Sequence, residues 1–96
     1  MNIVKETLSY RVGYYKGNEF ITHCEDGPAY VKQTRDGHPE EEHYYHHGKF
    51  HNTLGPAIIY YTFSTPSESY YIFGKQIRPS DFYKPGFVDA LILENS

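Results

Sequence analysis

Tryptophan is missing from this 96-residue chain, and cysteine and methionine occur once each. The lone Cys24 excludes an intramolecular disulfide, so no covalent cross-link holds the fold. Long hydrophobic runs are missing too. No stretch approaches the roughly 20 apolar residues of a membrane-crossing helix, and Met1-Asn2-Ile3-Val4-Lys5-Glu6 lacks the apolar core of a secretory signal. Both absences lead to the expectation of a soluble, cytoplasmic protein with no membrane partner. Positive charge is short as well: nine Lys and Arg against twelve Asp and Glu leave a net charge of -3. That balance argues against nucleic acid as a partner, because a phosphate backbone selects for a basic surface.

Leu, Ile and Val are few, and aromatics stand in for them: eleven Tyr and six Phe supply most of the large apolar surface. A tyrosine buries its ring while its hydroxyl stays wet, which suits both a thin sheet and a contact surface. One domain over 1–96 has a small core at this length. Packing of the sheet on a second copy of the chain, a homodimer, is one way to enlarge it.

A short string returns. His23-Cys24-Glu25-Asp26-Gly27-Pro28-Ala29 and His51-Asn52-Thr53-Leu54-Gly55-Pro56-Ala57 lie 28 residues apart, and each follows a tyrosine pair and a glycine. A partial third copy opens at Tyr70-Tyr71-Ile72-Phe73-Gly74. Repeated Gly, Pro and aromatic positions define backbone turns, so the period marks a repeated supersecondary unit. The repeats span about 14–43, 44–69 and a truncated 70–83, with a tail over 84–96.

Alternating apolar and polar residues, broken by Gly or Pro about every ten positions, predict a mainly β protein: a twisted antiparallel meander of repeated hairpins with a short C-terminal helix. Strands are expected near 7–16, 19–23, 28–35, 41–47, 50–52, 56–63, 68–73 and 75–78. Gly17, Gly48 and Gly74 occupy the hairpin tips, where positive φ is needed. Gly27-Pro28 and Gly55-Pro56 end loops and launch strands, with the glycines expected in a left-handed conformation. Ser80 is the expected N-cap of a helix that Pro85-Gly86 interrupts after about one turn, and 87–94 reads as a second short helix or a strand.

The string Tyr-x-x-Gly-Lys-x-His-x-x-x-Gly-Pro-Ala, carried by Tyr45, Gly48, Lys49, His51, Gly55, Pro56 and Ala57, resembles a short repeat of small proteins from tailed bacteriophages and bacteria. It is similar to MORN-type hairpin repeats. The chain departs from that pattern in having Lys16, His47 and Phe73 before the hairpin glycines, where the family has Asn, and Cys24 and Asn52 after the histidines, where it has Arg. The resemblance implies a sheet of hairpins, a bacterial host cytoplasm, no catalytic residues and no cofactor. It also implies a scaffold or binding surface, with inhibition of a host defence protein as an elaboration.

Six histidines raise a metal reading, with His43, His46 and His51 as candidate ligands for a metal-dependent hydrolase. It depends on the hairpin register. A Gly48-Lys49 loop makes His46 and His51 cross-strand neighbours, whereas a His47-Gly48 loop sets His51 opposite Tyr44. On a strand His46 and His47 point to opposite faces. The repeated His23 and His51 have a structural reading instead, as hydrogen-bonding partners of backbone groups around the loop. Glu40-Glu41-Glu42 reads as a solvated strand edge.

The doublets Tyr14-Tyr15, Tyr44-Tyr45, Tyr60-Tyr61 and Tyr70-Tyr71 are the candidate partner-binding residues. One ring of each points outward, forming an aromatic stripe that contacts another protein. An alternative is a small ligand, a nucleotide or sugar, held between rings with Arg11, Arg35 or Arg78 available to it.

Overall fold

The computed structural model describes residues 1–61 and 65–95. These residues form ten strands, β1 (Asn2–Lys5), β2 (Ser9–Lys16), β3 (Glu19–Thr22), β4 (Tyr30–Gln33), β5 (Pro39–His43), β6 (Tyr45–His46), β7 (Lys49–Phe50), β8 (Ile58–Tyr60), β9 (Ser67–Ile72) and β10 (Lys75–Ile77). Two helices follow, α1 (Pro79–Phe82) and α2 (Phe87–Glu94). Every paired strand is antiparallel, as the meander requires. The main sheet runs β1-β2-β4-β5-β8-β9-β10 with β3 also on β2, and β6 pairs with β7 apart from it.

Two long strands explain the layout. Residues 9–11 of β2 pair with β4 while residues 13–16 pair with β3; likewise 67–69 of β9 pair with β8 and 70–72 with β10. Each long strand thus crosses the sheet and then turns back in a hairpin. The three hairpins β2–β3, β6–β7 and β9–β10 stand side by side, joined by backbone bonds that recur from repeat to repeat. Gly48 N–H donates to the Thr22 carbonyl at 2.9 Å and Gly74 N–H to that of Phe50 at 2.8 Å. Cys24 N–H donates to Tyr45 and Asn52 N–H to Tyr71, at 3.3 and 3.1 Å. The result is a slab of 41 × 40 × 17 Å, too thin for a second sheet about 10 Å away with its own flanking elements.

Turn chemistry sets the hairpins. His47-Gly48 and Phe73-Gly74 both have positive φ at both central positions (47° and 84°, 48° and 83°), the geometry of a type I′ turn that matches strand twist. At the first tip only Gly17 is positive. Gly27 and Gly55, expected left-handed, are not among the positive-φ glycines. Side chains shape that loop instead: Asn52 Oδ1 accepts from Leu54 N–H at 3.0 Å, and Asn52 Nδ2 donates to the Pro56 carbonyl at 2.9 Å. The strand that each Gly-Pro-Ala launches enters the sheet interior. Ala29 and Ala57 are fully buried and bonded on both sides, Ala29 to His43 and Val12, and Ala57 to Ser69 and Tyr44.

Other expectations shift by small amounts. β1 was not anticipated; it adds an edge to β2, with Ile3 exposed. The strand expected over 41–47 breaks at Tyr44, and that over 56–63 extends partly beyond the described residues. Ser80 is not a cap: Arg78 holds the N-cap position without a side-chain bond, and Pro79 fills the first helical position, where its missing N–H leaves nothing unpaired. α1 does stop after one turn. The 87–94 segment is helical, and its Phe87, Val88 and Leu91 pack with Phe73 around a cluster of Tyr70, Ile72, Ile77 and Phe82. No helix among the described residues is long and apolar enough to cross a membrane.

Candidate functional site

Register assigns the rings to faces. Cα partners directly opposite one another share a face, so Val4, Arg11, Tyr30, His43, Ile58 and Ser69 form one transverse row across β1, β2, β4, β5, β8 and β9. Alternation along each strand then divides every doublet. Tyr15, Tyr45, Tyr60 and Tyr71 fall on this face, and Tyr14, Tyr44, Tyr61 and Tyr70 on the other.

On the second face Tyr70 is buried and Tyr14 and Tyr61 engage other side chains, Tyr61 at 40% exposure. Tyr70 is only 6% exposed, packed against Phe82 at 4.7 Å and sharing a hydroxyl contact of 3.0 Å with Tyr83. That hydrogen bond, with burial, pushes its hydroxyl pKa up to about 12. As a partner-binding residue Tyr70 is therefore corrected to a core residue, covered by α1. Tyr61 remains partly exposed but donates to Glu42, which raises its pKa to about 12. Tyr14 bonds His47 Nδ1 at 2.7 Å.

Tyr14 belongs to a histidine cluster whose logic is the repeat itself. His23 Nδ1 accepts the backbone N–H of His47 at 2.9 Å, and His51 Nδ1 accepts that of Phe73 at 2.9 Å. Each imidazole also stacks on the residue it binds, His23 on His47 at 4.2 Å and His51 on Phe73 at 4.3 Å. Every repeat histidine thus clasps the first turn residue of the next hairpin. The imidazoles do accept from backbone amides, but from the turn of the next hairpin and not from groups around their own loop, which corrects the expected partner.

This clasp bears on metal binding. The observed turn is His47-Gly48, and His51 N–H donates to the Tyr44 carbonyl at 3.0 Å, so the register that would pair His46 with His51 is not adopted. His43 lies on the opposite face. The turn also swings His47 back to within 4.4 Å of His46, correcting the expectation that strand alternation separates them. His23, His46 and His47 bring ligand atoms within 4.8 Å of one another. A neutral imidazole has one in-plane lone pair, however, and a backbone N–H is always a donor. His23 therefore carries its proton on Nε2, which points toward Glu25 Oε1 at 3.6 Å, and a metal would have to take its lone pair from the clasp.

Among the described residues nothing activates the thiol. Burial pushes the Cys24 pKa up, the reverse of a nucleophile's shift, and its Sγ donates to Asp26 Oδ1 at 3.2 Å. In the acidic run, Lys32 Nζ lies 3.8 Å from Glu41 Oε2 and 4.0 Å from Glu40 Oε2, a partly exposed cross-strand pairing.

The first face carries a connected aromatic field. His43 is its hub, within 4.9 Å of Tyr30 and 5.8 Å of both Phe50 and Tyr60. Phe50 continues it to Tyr45 at 4.6 Å and Tyr71 at 5.1 Å, while Tyr15 and Phe20 form a further pair at 5.1 Å. Burial lowers the His43 pKa, more than the adjacent Glu41 raises it, so the hub is neutral near pH 7. Tyr15 at 55% and Tyr60 at 42% exposure stand at its margins, and the rings between them are half-buried. The C-terminal helices pack on the face that carries Tyr70 and Ile72, not on this one. Tyr30 and Phe50 were missed as site residues because neither belongs to a doublet; their register opposite His43 and Tyr45 is the signal that joins them.

No family model matches the chain, and no curated protein or solved structure does either.

Proposed function

We propose that the protein is a non-enzymatic binding module whose contact surface is the face carrying Tyr15, Tyr45, Tyr60 and Tyr71. The observation that carries this reading is the connected run of rings around His43 on the face opposite the C-terminal helices. Half-buried aromatics with wet edges suit protein interfaces, because a ring brings large contact area at small entropic cost. The partner is another protein. The repeat's resemblance to phage and bacterial sequences supports a host cytoplasmic protein, with a defence component as the inhibited target.

Affinity capture from bacterial lysate tests it. The wild-type chain should retain a stoichiometric partner that Tyr15→Ser/Tyr60→Ser loses, since the double variant removes the two most exposed rings of the face and a tyrosine hot spot contributes about 2 kcal/mol or more. Leu54→Ser, at an exposed loop residue away from the sheet face, should leave capture unchanged. Equal capture by all three chains would contradict the assignment. Size measurement of the same variants separates a homodimer from a foreign partner.

A further inference from the structure

A pocket of about 270 Å³ opens beside the transverse row, lined by Glu6, Arg11, Tyr30, Glu41, His43 and Tyr45 among others. That volume lies just under the roughly 300–1,000 Å³ of drug-sized ligand sites, with room for one ring system. Its polar groups are incompletely used. Among the described residues the Arg11 guanidinium has no ion pair or hydrogen bond, whereas Arg78 is engaged with Asp81 at 2.9 Å. His43 Nε2 is shielded from solvent and unpaired: Glu41 Oε1 lies 3.2 Å away but out of hydrogen-bond alignment. Glu41 Oε1 therefore keeps acceptor capacity, while its Oε2 lies 3.8 Å from Lys32 Nζ.

Charge narrows the ligand. The lining carries one guanidinium and two carboxylates, those of Glu6 and Glu41, so a dianionic phosphate meets more repulsion than attraction there. An uncharged ring is favoured if its edge offers acceptors to Arg11 and donors to Glu41 while its face lies against Tyr30 or Tyr45. Guanine has this pattern: O6 and N7 accept from arginine in a bidentate contact, and the N2 amino group donates. Adenine places a donor where guanine has O6, and it lacks the N2 amino group. We propose that this pocket binds a planar, uncharged purine of the guanine type, between the Arg11 guanidinium and the Glu41 carboxylate, on the tyrosine rings.

Isothermal titration with guanosine, adenosine and guanosine monophosphate tests the assignment on the intact chain. Saturable one-to-one binding of guanosine is expected, at least tenfold tighter than adenosine and no weaker than the monophosphate. Arg11→Ala and Glu41→Gln should each weaken guanosine at least tenfold while thermal melting shows both variants folded. Absence of saturable guanosine binding, equal affinity for adenosine, or affinity untouched by both substitutions overturns the proposal. The protein-binding reading does not depend on the result, because its readout is capture of a partner by Tyr15 and Tyr60.

Discussion

His51 and His23 act through a single lone pair each, and their removal isolates what a clasp contributes. In His51→Ala the Phe73 N–H loses its acceptor and the Phe73 ring loses its stacking partner. An unsatisfied buried donor costs about 1–3 kcal/mol, so chemical denaturation should show a loss of about 2 kcal/mol. His46→Ala, which removes no such bond, should lose markedly less. Acid probes His51 together with His43 and His46. Burial depresses the pKa values of His43, His46 and His51, with neighbouring histidines adding to the shift for His46 and His51. The unfolded chain then binds more protons than the native one below the ordinary value of 6.5, so stability is full above it and falls as pH drops toward the depressed values. Denaturation midpoints should fall between pH 7 and pH 5, with a shallower fall in His51→Ala; a flat or rising midpoint would contradict the neutral-clasp assignment. The histidines' backbone role was legible because an unaccompanied repeated imidazole has little chemistry to do. Their partners were not, since 24 and 22 residues separate each histidine from the amide it holds.

Hairpins are the elements in which sequence and structure agree most closely, because a turn's demand for positive φ is local. Gly74 (φ +83°) has space for a methyl group, with only Lys49 side-chain atoms 3.6–3.7 Å from a built Cβ. Gly74→Ala should therefore cost only the left-handed penalty, about 1 kcal/mol. Gly13 is the opposite case. Its φ is ordinary, but a Cβ there would lie 2.0 Å from the Ile21 carbonyl oxygen, so β2 and β3 must separate to admit it. Gly13→Ala should destabilise by several times the Gly74→Ala loss, and amide exchange should show the first hairpin opening; equal effects would refute this distinction. Nothing in the sequence set Gly13 apart, since close backbone approach is a property of the strand crossing. Register was hidden likewise. His47-Gly48 and Gly48-Lys49 are both acceptable loops, and that one-residue choice decides whether His51 lies opposite Tyr44 or His46.

At the scale of the whole molecule, a slab 17 Å thick cannot enclose seventeen aromatic rings, so their division between faces defines what the protein presents. The helices cover rings on the second face near β9 and β10, and the first face keeps Tyr15 and Tyr60 exposed. That tyrosines would be surface groups was readable from their number; which of each pair was not, because parity within a doublet follows from pairing across the sheet. The Tyr15→Ser/Tyr60→Ser variant should stay folded with a loss of about 1–2 kcal/mol, because each ring makes one aromatic contact, with Phe20 and with His43. Tyrosine footprinting by radical labelling, read with and without the captured partner, tests the proposed face most directly. Tyr15 and Tyr60 labelled in the isolated chain and protected in the complex, with exposed Tyr83 labelled in both, is the expected result. Protection of Tyr83 with Tyr15 and Tyr60 still labelled would place the contact surface elsewhere.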